Sequence, residues 1–360
     1  MLKRIEINDL GLAIFKETIS LVPDLKLISI NPGSGEDEVN FFVKIRIQKS
    51  YQTLLVRMST LGTPKSARST AHSLAWMIKN DPDTYGVIIA PYISPKSAAI
   101  CTEAGIGYID LSGNCLLAFK QVFIHRENFT NKFQFKSELS SIYSPKSERI
   151  LRVLLNYPYR PWRVIELADV AKVSPGMITH VSKKLEEEEW LKRSQEGIIL
   201  VKPDQLLEDW ANYYNVSRSK TKNYFTLKQS SELEKEIADI CKLENITYAL
   251  TGFSAANYLA PMVKGQRSMV YINHDIDRIA EKAGLKTVES GANFTLITPY
   301  DEGVFWNTQI FNNLIVANPI MVFLDLRNYP GRGEEAADSL LKEVIKPAWQ
   351  QASINIQISS

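Results

Sequence analysis

Scarcities narrow the class of this chain before any motif is read. Its 360 residues hold only three cysteines, Cys101, Cys115 and Cys241. They are too few for a disulfide framework and too far apart for a zinc site, so they fit a reducing compartment and a cytoplasmic location is expected. None of the four histidines, His72, His125, His180 and His274, has neighbours at metal-ligand or catalytic-triad spacing. No apolar run approaches the roughly 18 residues of a membrane span. The opening MLKRIEINDL holds no apolar stretch of signal-peptide length, so neither secretion nor a membrane partner is expected. An excess of one charge is also missing. Lys and Arg number 42 against 40 Asp and Glu, leaving a net charge of +2, too little to argue for nucleic acid. A case for DNA has to rest on where the charges sit.

What remains is the composition of an ordinary globular protein, long enough for two or three domains. Three blocks emerge. Residues 1–143 alternate strand-like and helix-like segments: NFFVKIRI (40–47) and QTLLVRMST (52–60) read as strands, SARSTAHSLAWMIKN (66–80) as a helix, and YGVIIAPYI (85–93) as a buried strand. GYIDLSGNCLLAF (107–119) reads as one strand bent at Gly113. The serine-rich SELSSIYSPKSE (137–148) reads as a linker. Residues 144–215 are nearly all helix apart from one hairpin. Residues 216–360 alternate again, with helices at 231–243, from Ser254, at 275–284 and from Glu334 to about Ile345. Strands are expected there at 246–251, 268–273, 293–298 and 319–326. The fold class is therefore multi-domain α/β with a helical centre.

The central block carries the strongest pattern. SERILRVLLNYP (147–158) and RVIELADVAK (163–172) read as two helices, the second with Ile165, Leu167, Ala168 and Ala171 as its apolar residues. After the tight KVS connection, with Val173 as its plug, Ser174 suits an N-cap and Pro175 a first helical residue. The third helix has Ile178, Val181 and Leu185 on its buried stripe. LKRSQEGIILV (191–201) reads as a hairpin with its tip at Gln195–Gly197, while Trp162 and Trp190 read as core or domain-edge aromatics. Three helices and that hairpin make a winged helix-turn-helix.

Gly176, Met177, Thr179, His180, Ser182, Lys183 and Lys184 are left facing outward. A small, polar, then basic front suits the major groove, where the N-terminal residues of such a helix meet base edges. Thr179, His180, Ser182 and Lys183 are the candidates for base edges, and Arg163, Lys184, Arg193 and Ser194 for phosphate; Ser174 belongs to the same surface. Base contacts specify and phosphate contacts position. The acidic run Glu186–Glu189 reads as a solvated face on the last turn, held out of the groove.

At this point the chain resembles a known family. GVIIAPYISPKSAAICTEAGIGYIDLSGNCLLAF (86–119), the winged helix, YALTGFSAANYLAP (248–261) and FLDLRNYPGRGEEAADSLL (323–341) together resemble the AbiEi antitoxins and transcriptional regulators of type IV toxin–antitoxin systems. The resemblance implies a repressor of its own operon that binds double-stranded promoter DNA. It also implies neutralisation of a nucleotidyltransferase-like toxin encoded alongside, without lasting contact with it. About 140 residues precede the winged helix here, whereas in the better-known members it is N-terminal. Winged-helix repressors commonly pair on two half-sites, so a homodimer is expected.

The first block also resembles a restriction-endonuclease-like fold, which holds Mg²⁺ with an acid on one strand and an acid–x–Lys triplet on the next. Arg57 stands where the acid is needed and Ser59 where the lysine is needed, and the preceding strand offers Lys44 and Arg46. The block therefore reads as a catalytically silent nuclease scaffold that touches phosphate through Arg46, Arg57 and Arg68. Asp110 is its best remaining acid and reads as structural. Asp275 and Asp277, after TGFS, loosely resemble nucleotidyltransferase aspartates but suit a helix first turn. PGRGEE (330–335) reads as a turn and helix start. No enzyme activity, metal or cofactor is expected. The alternatives are a metal-dependent nuclease or nucleotidyltransferase, and a protein-interaction scaffold.

Overall fold

The computed structural model describes residues 4–33, 39–133, 142–260, 267–329 and 331–359. Residues 137–141 of the expected linker and Pro330 of the PGRGEE turn lie outside the described residues. The chain divides into two compact units. One comprises Met1–Glu138 with Leu185–Glu189, the other Leu139–Lys184 with Trp190–Ser360. No described helix is long and apolar enough to cross a membrane.

The first unit begins with α1 (Arg4–Ser20) and β1 (Leu25–Pro32), followed by β2 (Phe41–Ile47) and β3 (Ser50–Met58). Then come α2 (Pro64–Ile78), β4 (Thr84–Ala90), α3 (Pro95–Glu103), β5 (Gly107–Asp110), β6 (Cys115–Phe119) and β7 (Val122–Arg126). The seven strands lie in sequence order, β3–β4–β5 parallel and the other neighbours antiparallel. In β2, Val43, Ile45 and Ile47 are buried while Lys44 is exposed, the alternation of a sheet with two different faces. β4 is apolar and buried along nearly its whole length because both faces are covered. Val87 and Ile89 share one core cluster with Phe15 and Ile19 of α1, while Ile88 shares the other with Ala71 and Leu74 of α2 and Ile100 of α3.

Two expectations are corrected in this unit. Residues 107–119 form two antiparallel strands rather than one bent strand, because Gly113, at φ +115°, turns the chain between them. The acidic run is not a solvated face. Glu186–Glu189 are half-buried, and Arg68 donates to both carboxylate oxygens of Glu189 at 2.7 and 3.0 Å. Thr63 donates to Glu187 at 2.8 Å, and Lys96 to the Glu188 carbonyl at 2.7 Å. Arg68 is thus engaged by a carboxylate where a phosphate contact was expected.

The second unit opens with α4 (Pro145–Asn156), α5 (Val164–Ala171), α6 (Pro175–Glu187), the hairpin β8 (Leu191–Arg193) and β9 (Ile198–Leu200), and α7 (Pro203–Tyr213). The last residues of α6 belong with the first unit. β10 (Lys220–Phe225), α8 (Ser230–Leu243), β11 (Tyr248–Thr251), α9 (Gly252–Leu259), β12 (Ser268–Ile272) and α10 (Ile276–Lys282) follow. Next are β13 (Lys286–Thr287), β14 (Phe294–Thr298), β15 (Gln309–Phe311), β16 (Leu314–Val316), α11 (Pro319–Arg327) and α12 (Gly333–Leu340). A π turn at Leu341–Ile345 then leads into α13 (Lys346–Ser359). The sheet order is β13–β10–β14–β12–β11–β16–β15, with β12–β14 and β11–β16 parallel.

Residues 319–326, expected as a strand, are the helix α11. PIMVFLDL is apolar apart from Asp325 and Ile320–Leu326 are all buried, so the run has no period to betray its type. Asn318 settles it locally, its side chain accepting from the Met321 amide at 3.2 Å, with Pro319 as the first helical residue.

Candidate nucleic-acid interface

The central helices form as their apolar spacing dictates. α4 buries Ile150, Leu151, Val153, Leu154 and Leu155, α5 buries Leu167, Ala168 and Ala171, and α6 buries Ile178, Val181 and Leu185. Trp162 and Trp190 are buried, as expected. Ile165 is not part of the α5 stripe: it is 77% exposed, two positions before Leu167 and on the opposite side of the helix. α5 ends on Lys172, whose left-handed backbone (φ 52°) lets the Val173 amide reach the Ala168 carbonyl at 3.0 Å. The Ser174 carbonyl then accepts from Met177 and Ile178 at 3.0 and 3.3 Å, starting α6.

Of the outward residues expected on α6, Gly176, Thr179, His180 and Lys183 are exposed, as is Ser174 before them, while Met177 and Lys184 are half-buried. No acid occupies the first turn, where the positive end of the helix dipole favours an anion. Thr179 donates its hydroxyl to the Pro175 carbonyl at 3.2 Å, inside its own helix.

Ser182 is corrected. It is 1% exposed, adjoining Val181 on a buried stripe one residue wider than the apolar spacing reveals. Buried in this way, its hydroxyl cannot present itself to a base.

The hairpin follows this helix in the chain. Arg163 precedes α5, Arg193 ends β8 and Ser194 follows it; all three are exposed. The Ser194 hydroxyl donates to the Gly197 carbonyl at 3.2 Å and accepts from the Glu196 amide at 3.2 Å, so it shapes the wing tip. Trp162 and Ile198 exchange backbone hydrogen bonds at 2.8 and 2.9 Å, tying the wing to the start of α5. Gly197, at φ +144°, lies against that bridge, where a Cβ would stand 2.3 Å from the Trp162 carbonyl oxygen. Gly197→Ala is expected to push the wing off this bridge and to cost about 1–3 kcal/mol; urea unfolding of wild type and variant checks this.

A charged layer, invisible in the sequence pattern, joins α4 to Arg218 before β10 and to the segment after β14 within the second unit. Glu148 is fully buried and accepts from Arg218 at 2.8 Å and from the Tyr300 hydroxyl. Arg149 grips Asp301 through Nε and Nη2 at 2.9–3.1 Å, and that bond raises the Arg149 pKa further. Burial and the adjoining Glu148 push the Tyr300 phenol well up, against the opposing effect of Arg152. The Trp349 indole on α13 donates to the Leu155 carbonyl at 2.7 Å, pinning the end of α4.

The carboxylates considered for catalysis are otherwise occupied. Asp110 is fully buried and accepts from the amides of Ile93, Ser112, Gly113 and Asn114 at 2.9–3.1 Å, holding the β5–β6 turn. Asp275 caps α10 through the Asp277 amide. Asp277 pairs with Lys222 at 2.6 Å, which holds its carboxyl below the usual range. Ser59 turns back onto the Leu61 carbonyl at 2.7 Å. Among the described residues no group of three or more His, Cys, Asp and Glu is placed to hold a metal.

Residues 199–346 match the family model described as transcriptional regulator, AbiEi antitoxin, type IV TA system. Residues 149–196, from α4 to the wing tip, match the MarR family. No curated protein and no solved structure matches the chain.

Proposed function

We propose that this chain, a DNA-binding transcriptional regulator of the AbiEi antitoxin type by its two family matches, represses its own operon by inserting the front of α6 into the major groove. The observation that carries the reading is the exposure of Ser174, Gly176, Thr179, His180 and Lys183 on an α6 with no acid in its first turn, with exposed Arg163 before it and Arg193 after it in the chain, within the segment that matches MarR regulators. Thr179, His180 and Lys183 meet base edges, with Gly176 allowing close approach and Met177 beside them. Arg163, Lys184 and Arg193 meet phosphate. Ser182 supports this surface from within, and Ser194 shapes the tip of the wing.

In this reading residues 1–143 are a catalytically silent nuclease-like domain, 144–215 the winged-helix reader and 216–360 the antitoxin-like α/β domain. Two copies bind two half-sites in the cytoplasm, and the opposing toxin is nucleotidyltransferase-like. The domain assignment draws support from the residues standing at the nuclease positions, Arg57 and Ser59, and from the AbiEi match, most of which falls in the third block.

The test is a salt titration of binding to duplex DNA from upstream of the gene. Lys183→Ala with Arg193→Ala is expected to weaken binding at every salt concentration and to flatten the log–log salt slope by roughly 0.9 for each phosphate no longer neutralised. An unchanged slope and affinity would move the reading surface elsewhere.

A further inference from the structure

Between the end of α5 and the 3-10 turn Glu302–Phe305 lies a cleft of about 380 Å³, within the range of small-molecule sites. Both of its walls belong to the second unit. Arg149, Arg152 and Lys172 line one wall, and Asn273, Glu302 and Trp306 the other.

Arg152 is the unusual member. It is wholly buried, and its Nε bond goes to the Met321 sulfur at 2.9 Å, a weak acceptor. Its Nη1 and Nη2 make no hydrogen bond among the described residues. Glu148 and Asp301 approach them only to 3.5 and 3.8 Å. Both carboxylates already accept from other donors, Glu148 from Arg218 and Tyr300, Asp301 from Arg149 and the Gly303 amide. Buried guanidinium donors with no acceptor are costly, and proteins rarely keep them without cause. Gly303 preserves the room beside them, because a Cβ there would stand 2.8 Å from Nη1.

The rest of the cleft says what would fit. Arg149 and Arg152 are balanced by Asp301 and Glu148, leaving Lys172 and, at the exposed rim, Glu302, which accepts from Asn273 at 3.2 Å. Half-buried Trp306 offers a flat apolar face.

We propose that this cleft binds a small organic anion whose phosphate or carboxylate group accepts from Arg152 and Lys172 and whose flat body lies on Trp306. Its wall includes Val170, Ala171 and Lys172, the last residues before the turn that starts α6. Occupancy therefore alters the setting of that turn and with it the affinity for DNA, a consequence that rests on the reading of α6 proposed above.

The test melts the full chain with inorganic phosphate, acetate or AMP, against chloride at equal ionic strength. A saturable rise in melting temperature is expected with phosphate, at lower concentration with AMP, and a response to acetate in place of phosphate would assign a carboxylate ligand. Arg152→Met, Lys172→Asn (which keeps the left-handed backbone) and Trp306→Ala are each expected to raise the AMP midpoint at least tenfold. If Arg152→Met does not fold, the other two variants decide. No saturable rise over chloride, or a rise unchanged in every folded variant, overturns the site. AMP is expected to shift the midpoint of binding to upstream DNA; an unshifted midpoint with AMP bound refutes the coupling. Absence of DNA binding altogether would refute the α6 reading and leave the melting result standing.

Discussion

Glu148→Ala is expected to destabilise the second unit by about 3–5 kcal/mol, because it strips a buried carboxylate from a cluster of cations. Glu148 is fully buried, takes the Arg218 guanidinium at 2.8 Å and the Tyr300 hydroxyl, and lies 3.5 Å from Arg152. Without it, the carboxylate left to Arg152, itself fully buried, is Asp301 at 3.8 Å among the described residues. The cost comes from an uncompensated charge. It does not mean that the pair out-stabilises an apolar substitute, so Glu148→Met with Arg152→Met is expected to recover most of the loss. Five of the six tryptophans, Trp162, Trp190, Trp210, Trp306 and Trp349, belong to the second unit, so fluorescence-detected urea unfolding reports mainly on it. A loss below about 1 kcal/mol, the value of an exposed pair, would show that the layer is not buried in solution.

The second large effect is expected at Asp325. Its carboxylate is fully buried in α11 and accepts from the hydroxyls of Tyr214 at 2.7 Å, Tyr271 at 2.8 Å, and Thr251. Asp325→Ala leaves those hydroxyls without their acceptor and opens a hole beside them, at a cost of roughly 3–5 kcal/mol. Asp325→Asn keeps the shape and most of the bonding, and costs less.

The two variants also separate charge from packing. Burial raises the Asp325 pKa above its ordinary 3.8, outweighing the three hydroxyls. The folded state therefore holds this proton to higher pH than the unfolded state does. The resulting stability is complete below the unfolded pKa and is lost as pH rises from about 3.8 through the raised folded value. The stability difference between wild type and Asp325→Asn should shift against the wild type across that window and be flat above it. A difference independent of pH would place an ionised, well-solvated carboxylate there instead.

How far the sequence reveals this molecule depends on the range of the interactions involved. The front of α6 is legible because helix starts are local: Ser174, Pro175 and an apolar residue every three or four positions say where the helix begins and which side is wet. Ser182 escapes the same logic because a serine can sit on either side of the boundary, and only packing against its neighbours puts it inside. The acidic run escapes it because its partners, Thr63 and Arg68, are 121 to 124 residues away in sequence. The charged layer is likewise out of reach: Glu148 with Tyr300, and Arg149 with Asp301, each span 152 residues. α11 eludes the sequence for a different reason. A helix buried on all sides loses its amphipathic period and looks like a buried strand of the same length. The helix α13 has the opposite defect, since its mixture of Gln, Ser and Ile shows no clear apolar stripe.

The central claim is that the front of α6 reads a specific sequence. It is tested most directly by competing random duplex against DNA from upstream of the gene, for binding to the intact protein at about 0.15 M salt. The upstream duplex is expected to bind tighter by a factor of about 10³ or more, the margin of specific regulators over their own non-specific binding. Equal competition by random duplex would contradict the claim.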